Sequence, residues 1–210
     1  MRLTYLFDPL CGWCYGAAPA LERLRQLDGT TVELAPSGLF AGEGARAMDA
    51  SFAVYAWQND QRIARLTGQK FTDAYRMNIL EHAEGMFDSA PATLGIIAAG
   101  LAEPAREIEA MKALQNGRYV DGLDNSELSV VSDILNAAGF SQAGRRVRAP
   151  DEPLLSAYRQ RVSSARSEMQ TFGVNGVPAL IVEDEHGRRL LSGNALFGDF
   201  GVLAAQLRAA

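Results

Sequence analysis

Near both ends of this chain apolar positions come in short runs with period two, and through its middle they recur every three or four residues. That contrast predicts the order of its elements. Leu3, Tyr5 and Phe7 interleave with Thr4 and Leu6 in an aromatic and apolar run that stops at Asp8-Pro9, which predicts a buried strand. From Trp13 to Leu27, residues Ala17, Ala20, Leu21, Leu24 and Leu27 share one side of a helix, with Glu22, Arg23 and Arg25 on the other and a stop near Asp28-Gly29. Thr31-Val32-Glu33-Leu34-Ala35 alternates again and ends at Pro36, a second strand.

Between Ala41 and Pro150 there is hardly any β-rich run, and helical spacing covers 45–67, 71–83, 92–100, 105–116 and 125–138. This predicts an all-helical insertion, with Asp88-Ser89-Ala90-Pro91 capping one helix and Gly139 ending another. A further helix is expected over 152–172, then Gly173, Gly176 and Pro178 interrupt the pattern. Runs at 179–183 and 188–192 flank Asp184-Glu185-His186-Gly187, a hairpin with a four-residue loop, and a last helix is expected over 195–207. The outline is βαβ, a helical block, then αββα: an α/β chain.

Composition narrows the function. With 210 residues, 48% hydrophobic and 21% charged, the chain can bury a substantial core, so disordered and collagen-like classes are excluded. Twenty Lys and Arg against 25 Asp and Glu give a net charge of -5, and no basic run exceeds Arg145-Arg146, so no nucleic-acid partner is expected. The first residues run straight into Asp8-Pro9, without the apolar stretch of a secretory signal, and the longest mainly apolar segments, such as 95–102, are too short to span a membrane. A cytoplasmic location with no membrane partner is the expectation, where thiols are kept reduced.

The only two cysteines, Cys11 and Cys14, lie three residues apart between the first strand and the first helix. At that spacing on a first helical turn, side chains sit one above the other about 5–6 Å apart at Cβ, within small adjustments of disulfide geometry. Unpaired N–H groups at a helix start favour an anion, so Cys11 is the expected nucleophile; Cys14, one turn inside, is placed to resolve a mixed disulfide. Two plainer readings stand beside this: half of a zinc site, although His82 and His186 share no ligand spacing with the pair, or two inert buried thiols. Trp13 either packs or faces substrate. Asp8 either opposes thiolate formation or caps the loop.

The run Phe7-Asp8-Pro9-Leu10-Cys11-Gly12-Trp13-Cys14-Tyr15-Gly16, with Gly173-Val174-Asn175-Gly176-Val177-Pro178-Ala179-Leu180, resembles the DsbA-like branch of the thioredoxin superfamily, and within it the FrnE-related predicted protein-disulfide isomerases. The resemblance implies a discontinuous thioredoxin domain at 1–38 and 152–210, with the helical domain inserted at 39–151. It also implies that Pro178 follows a cis bond against the cysteines, that the Val177 backbone pairs with an extended substrate, and that Gly12 and Trp13 support the site. Pro19, five residues past Cys14, matches the proline that kinks the active-site helix in thioredoxins. Gly12-Trp13 replaces the Pro-His pair of the periplasmic oxidases, which points to exchange, isomerisation or reduction rather than dedicated oxidation.

The implied activity is thiol-disulfide oxidoreduction or disulfide isomerisation on thiol- or disulfide-bearing proteins or low-molecular-weight thiols. No cofactor or metal is expected to be bound; glutathione is a candidate external thiol, and a homodimer through the insertion is compatible with the fold class. Two other classes remain open: a glutathione-dependent isomerase of the 2-hydroxychromene-2-carboxylate isomerase type, which the retained cysteine pair argues against, and a non-catalytic redox-sensing module using apolar residues such as Phe52, Tyr55, Trp57 and Met86.

Overall fold

A computed structural model describes residues 1–82 and 84–208. Strand β1 (Arg2–Phe7) leads through Asp8–Leu10 to two short helices, α1 (Gly12–Gly16) and α2 (Ala18–Leu24), and then to β2 (Thr31–Pro36). The single helix expected over 13–27 is divided at Ala17 and ends at Leu24. Pro19 has no N–H to offer the Tyr15 carbonyl, so one helix cannot continue unbroken through this segment. The chain goes on through β3 (Arg46–Ala47), α3 (Ala50–Thr67), α4 (Asp73–Tyr75) with a π-type turn at Arg76–Leu80, and β4 (Met86–Phe87). Helices α5 (Ala90–Ala102), α6 (Glu107–Tyr119), α7 (Leu128–Ala137) and α8 (Ser141–Arg148) follow. A long α9 (Glu152–Thr171) returns the chain to β5 (Ala179–Asp184), β6 (Gly187–Leu191) and α10 (Phe200–Arg208).

Several boundaries depart from the periodic reading, each for a local reason. The middle is not wholly helical: β3 and β4 pair antiparallel, Arg46 opposite Phe87 and Ala47 opposite Met86, in strands too short to show alternation. Helix α3 therefore starts at Ala50, where the Asp49 carboxylate accepts the Ser51 and Phe52 amides at 2.9 Å each. The helix expected over 71–83 shrinks to a turn of α4 and the π-type turn, and position 83 lies outside the described residues. Helix α8 was hidden because its buried side is only Ala143, Gly144 and Val147 among arginines. The hairpin loop is two residues, not four, because Asp184 pairs with Gly187; Gly187 takes the turn at φ +114°, and the Asp184 carboxylate folds back onto the His186 amide at 2.9 Å. The last helix is likewise split into a 3₁₀ turn at Gly193–Phe197 and α10.

The main sheet has the order β2-β1-β5-β6, with β1 and β2 parallel and the other pairs antiparallel. Alternation along β1 sends Leu3, Tyr5 and Phe7 into the larger core and Leu6 into a smaller one with Ala165, Ala179 and Ile181. Both faces are covered, which is why this strand reads as almost unbroken hydrophobicity. The larger core continues without a gap into the insertion: Leu10, Cys14 and Tyr15 share it with Tyr75 and Tyr119. The CGWC segment lies on that seam.

Candidate active site

Cys11 is the N-cap of α1, with extended backbone, and its Sγ accepts the Cys14 amide at 3.4 Å. Its own amide is held by the Asp8 carbonyl at 3.1 Å, and its thiol donates to the Val177 carbonyl at 3.5 Å, directly before the cis Val177–Pro178 bond. Cys14 is fully buried behind it, and both thiols are free. Burial pushes the Cys14 thiol well above its ordinary value, and hydrogen bonding with Cys11 adds to this. Cys11 is 8% exposed, and its partner Val177 lines an open groove of ≈ 570 Å³ together with Trp13, Arg62, Pro178, Asn194 and Phe197. Trp13 does both things the sequence left open: its ring meets Phe197 edge-on at 5.1 Å and also lines the groove.

Helix α1 turns two glycines toward α3. A Cβ on Gly16 would stand 2.6 Å from Ile63 Cγ2, and one on Gly12 would stand 2.4 Å from an oxygen of Asp60. The backbone of this segment is satisfied from afar. Tyr5 donates to the Cys14 carbonyl at 3.1 Å, and Tyr119 donates to the Leu10 carbonyl at 2.8 Å. The Tyr15 carbonyl, which Pro19 cannot serve, is taken by the Gln69 amide at 3.0 Å.

Two buried carboxylates flank the segment. Asp8 accepts the Leu10 amide at 2.9 Å, the Phe40 amide at 3.1 Å and the Ser89 hydroxyl at 2.8 Å, so it ties the cysteine loop to the insertion. Burial raises its carboxyl while those bonds oppose the shift. Ser89 is thus spent on Asp8, and the cap of α5 comes from Asp88, whose carboxylate accepts the Ala90 amide at 2.9 Å. Asp60 accepts the Tyr75 hydroxyl at 2.9 Å, and burial raises it to about 7, against that bond and the charge of Arg118. The Arg118 guanidinium is fully buried, 5.8 Å from the Tyr75 ring and 5.4 Å from the Phe87 ring.

Neither histidine belongs to this groove: His186 is in the hairpin turn, and His82 lines a separate cavity of ≈ 480 Å³ with Trp57 and Leu80, which contains no residue of the CGWC segment. Among the described residues no three His, Cys, Asp or Glu side chains converge as a metal site. Of the other apolar residues singled out in the insertion, Phe52 and Trp57 pack on the core, whereas Tyr55 and Met86 are exposed. Sequence reading missed Asp60, Gln69, Tyr75 and Tyr119. One signal was available: Asp60 falls on the stripe Ala53, Ala56, Asp60, Ile63, a charge on the buried side of a helix.

The model of the DSBA-like thioredoxin domain family matches residues 2–200. The chain belongs to that family. DsbA-like likeness extends to solved structures: the cytosolic disulfide reductase DsbM from Pseudomonas aeruginosa is 28% identical with TM-score 0.86, and its structure with GSH is 30% identical with TM-score 0.83, each pairing covering 100% of both chains. A candidate protein disulfide isomerase from Nitrosomonas europaea is 25% identical with TM-score 0.77, over 99% of this chain and 97% of that one. A 2-hydroxychromene-2-carboxylate isomerase, 17% identical with TM-score 0.65 over 99% of this chain and 95% of that one, shares the fold. None of the curated proteins matches. Membership of the DSBA-like family, with the DsbM and Nitrosomonas europaea neighbours, supports thiol-disulfide oxidoreduction as the activity. No helix among the described residues is long and apolar enough to cross a membrane.

Proposed function

We propose that this DsbA-like protein works as a disulfide reductase through Cys11 and Cys14, in the cytosol, with glutathione or a similar small thiol as its exchange partner. The observation that carries the reading is the Cys11 sulfur held between the Cys14 amide and the carbonyl of Val177, a residue that lines the open groove. The DsbM likeness, one structure holding GSH, supports the direction and the class of thiol.

The Cys11 thiolate attacks one sulfur of a substrate disulfide; the S–S bond breaks, and the first thiolate leaves and takes up a proton. Cys14 remains a protonated thiol at this stage because its buried site disfavours the anion. It then gives up its proton and attacks the Cys11 sulfur, which forms the Cys11–Cys14 disulfide and expels the second thiol. Two electrons have passed from the dithiol to the substrate. Two molecules of external thiol restore the dithiol by the reverse sequence. Val177 offers its backbone and Trp13 and Pro178 offer walls to the substrate chain.

Insulin reduction and glutathione-disulfide turnover test this. Cys11→Ser is expected to abolish both and Cys14→Ser to accumulate a mixed disulfide visible by mass spectrometry; wild-type turnover by Cys11→Ser sinks the reading. Reactivation of a scrambled substrate without net reduction would favour isomerisation. Turnover of a chromene carboxylate that survives loss of Cys14 would favour the small-molecule isomerase whose fold this chain shares.

A further inference from the structure

The CGWC segment has an acidic neighbour that the exchange chemistry above does not use. Helix α3 carries Asp60, 5% exposed, against the first residue of α1. Its Oδ1 would lie 2.4 Å from a Cβ on Gly12, so only glycine leaves room for the carboxyl there, and Gly12 is one peptide unit, about 3.8 Å between α-carbons, from Cys11. The other oxygen, Oδ2, is fixed by the Tyr75 hydroxyl at 2.9 Å, so the carboxyl is held in place rather than free to swing into solvent.

We propose that Asp60 is a positioning residue of the redox couple: its carboxylate, admitted against Gly12, the residue next to Cys11, and anchored by Tyr75, biases the dithiol toward giving up its electrons. The proposal rests on the reductase reading, whose direction it explains. In the exchange of the dithiol with glutathione disulfide, the glutathione S–S bond breaks and the Cys11–Cys14 bond forms. Two electrons move to the glutathione sulfurs, and the two thiol protons end on the two glutathione molecules released. A fixed negative charge packed on the residue after Cys11 raises the free energy of any thiolate the reduced enzyme forms there and meets no anion in the disulfide. The oxidised form is therefore favoured, and electrons leave more readily.

The groups that face Asp60 are few. Tyr75 donates to it, Arg118 of α6 places its positive charge nearby, Tyr119 lies close enough to feel both Asp60 and Cys11, and α1 contributes Gly12. Burial lifts Asp60 to about 7, so its charge, and the bias, should grow from pH 6 to pH 8.

The test equilibrates wild type and Asp60→Asn in glutathione redox buffers at pH 6, 7 and 8, with acid quench and thiol alkylation to count reduced protein. At pH 8 the variant is expected to show a larger reduced fraction than wild type at the same glutathione ratio, with the difference closing toward pH 6. Tyr75→Phe, which keeps the carboxyl and removes its donor, is expected to move the onset of the bias to higher pH, and serves if the Asn variant does not fold. Gly12→Ala, which displaces the carboxyl, should shift the equilibrium in the same direction as Asp60→Asn. Equal ratios for wild type and Asp60→Asn at every pH, even with a changed melting temperature, overturn the proposal and leave Asp60 a packing residue. A wild type that does not equilibrate with glutathione overturns the reductase reading itself, which is a different result.

Discussion

The loop at Asp8 and the contact at Asp60 each bury a carboxylate against the segment that carries the dithiol, yet they are equipped differently. Asp8 is saturated: two amides and a hydroxyl, from the loop itself, from Phe40 and from Ser89, fill its oxygens. Asp60 has one donor, Tyr75, and turns its other oxygen to a glycine. A saturated carboxylate fixes geometry, because each donor loses its partner if the acid is removed. An under-saturated one fixes little and leaves its charge as the variable quantity. In both places burial pushes the carboxyl upward, so the shift alone does not distinguish the two regions; the count of donors does.

The contrast can be broken by stability measurements. Asp8→Ala strands the Leu10 and Phe40 amides and the Ser89 hydroxyl, and is expected to cost about 3–5 kcal/mol in denaturant unfolding, whereas a loss below about 1 kcal/mol would remove the distinction. For Asp60 the measurable signature is the pH dependence of stability. Its folded value of about 7 lies above the ordinary 3.8, so its contribution to stability is full below about pH 4 and is lost as pH rises through 7. Between pH 5 and pH 8 wild type should lose about 2–3 kcal/mol relative to Asp60→Asn, measured as the difference of urea midpoints at the two pH values; parallel curves would refute it. Gln69→Ala, which leaves the Tyr15 carbonyl without its donor, should cost about 1–2 kcal/mol. Arg159→Ala breaks only the exposed pair with Glu152, and no measurable change in melting temperature is expected.

What could be read along the chain was whatever depends on near neighbours. The strand ending at Asp8-Pro9, the cysteine pair behind it and the helical block all follow from short-range pattern, and so did the family resemblance. The dithiol was legible because its two members are three residues apart. Its surroundings were not, since Tyr119 reaches Leu10, and Gln69 reaches Tyr15, across long stretches of sequence with no periodic signature. Asp8 stayed ambiguous for the same reason, as two of its donors come from Phe40 and Ser89. Short elements failed for a different reason: β3, β4 and α8 contain too few buried positions to establish a period. Helix breaks at Ala17 and between Phe197 and Phe200 are backbone events within segments whose hydrophobic spacing runs on regardless.

The bonds that Gln69 and Tyr119 make to the cysteine segment bear on how such a protein can be taken apart. The chain invites excision of everything between the second strand and the ninth helix, as though a minimal redox module could be joined from what remains. That graft would expose the carbonyls of Leu10 and Tyr15, deprive Asp8 of the Phe40 and Ser89 donors, and uncover the face of α1 that Ile63 now covers. The insertion is therefore a structural wall of the reactive segment as well as an ornament on it, and engineering by domain exchange has to transplant the two together.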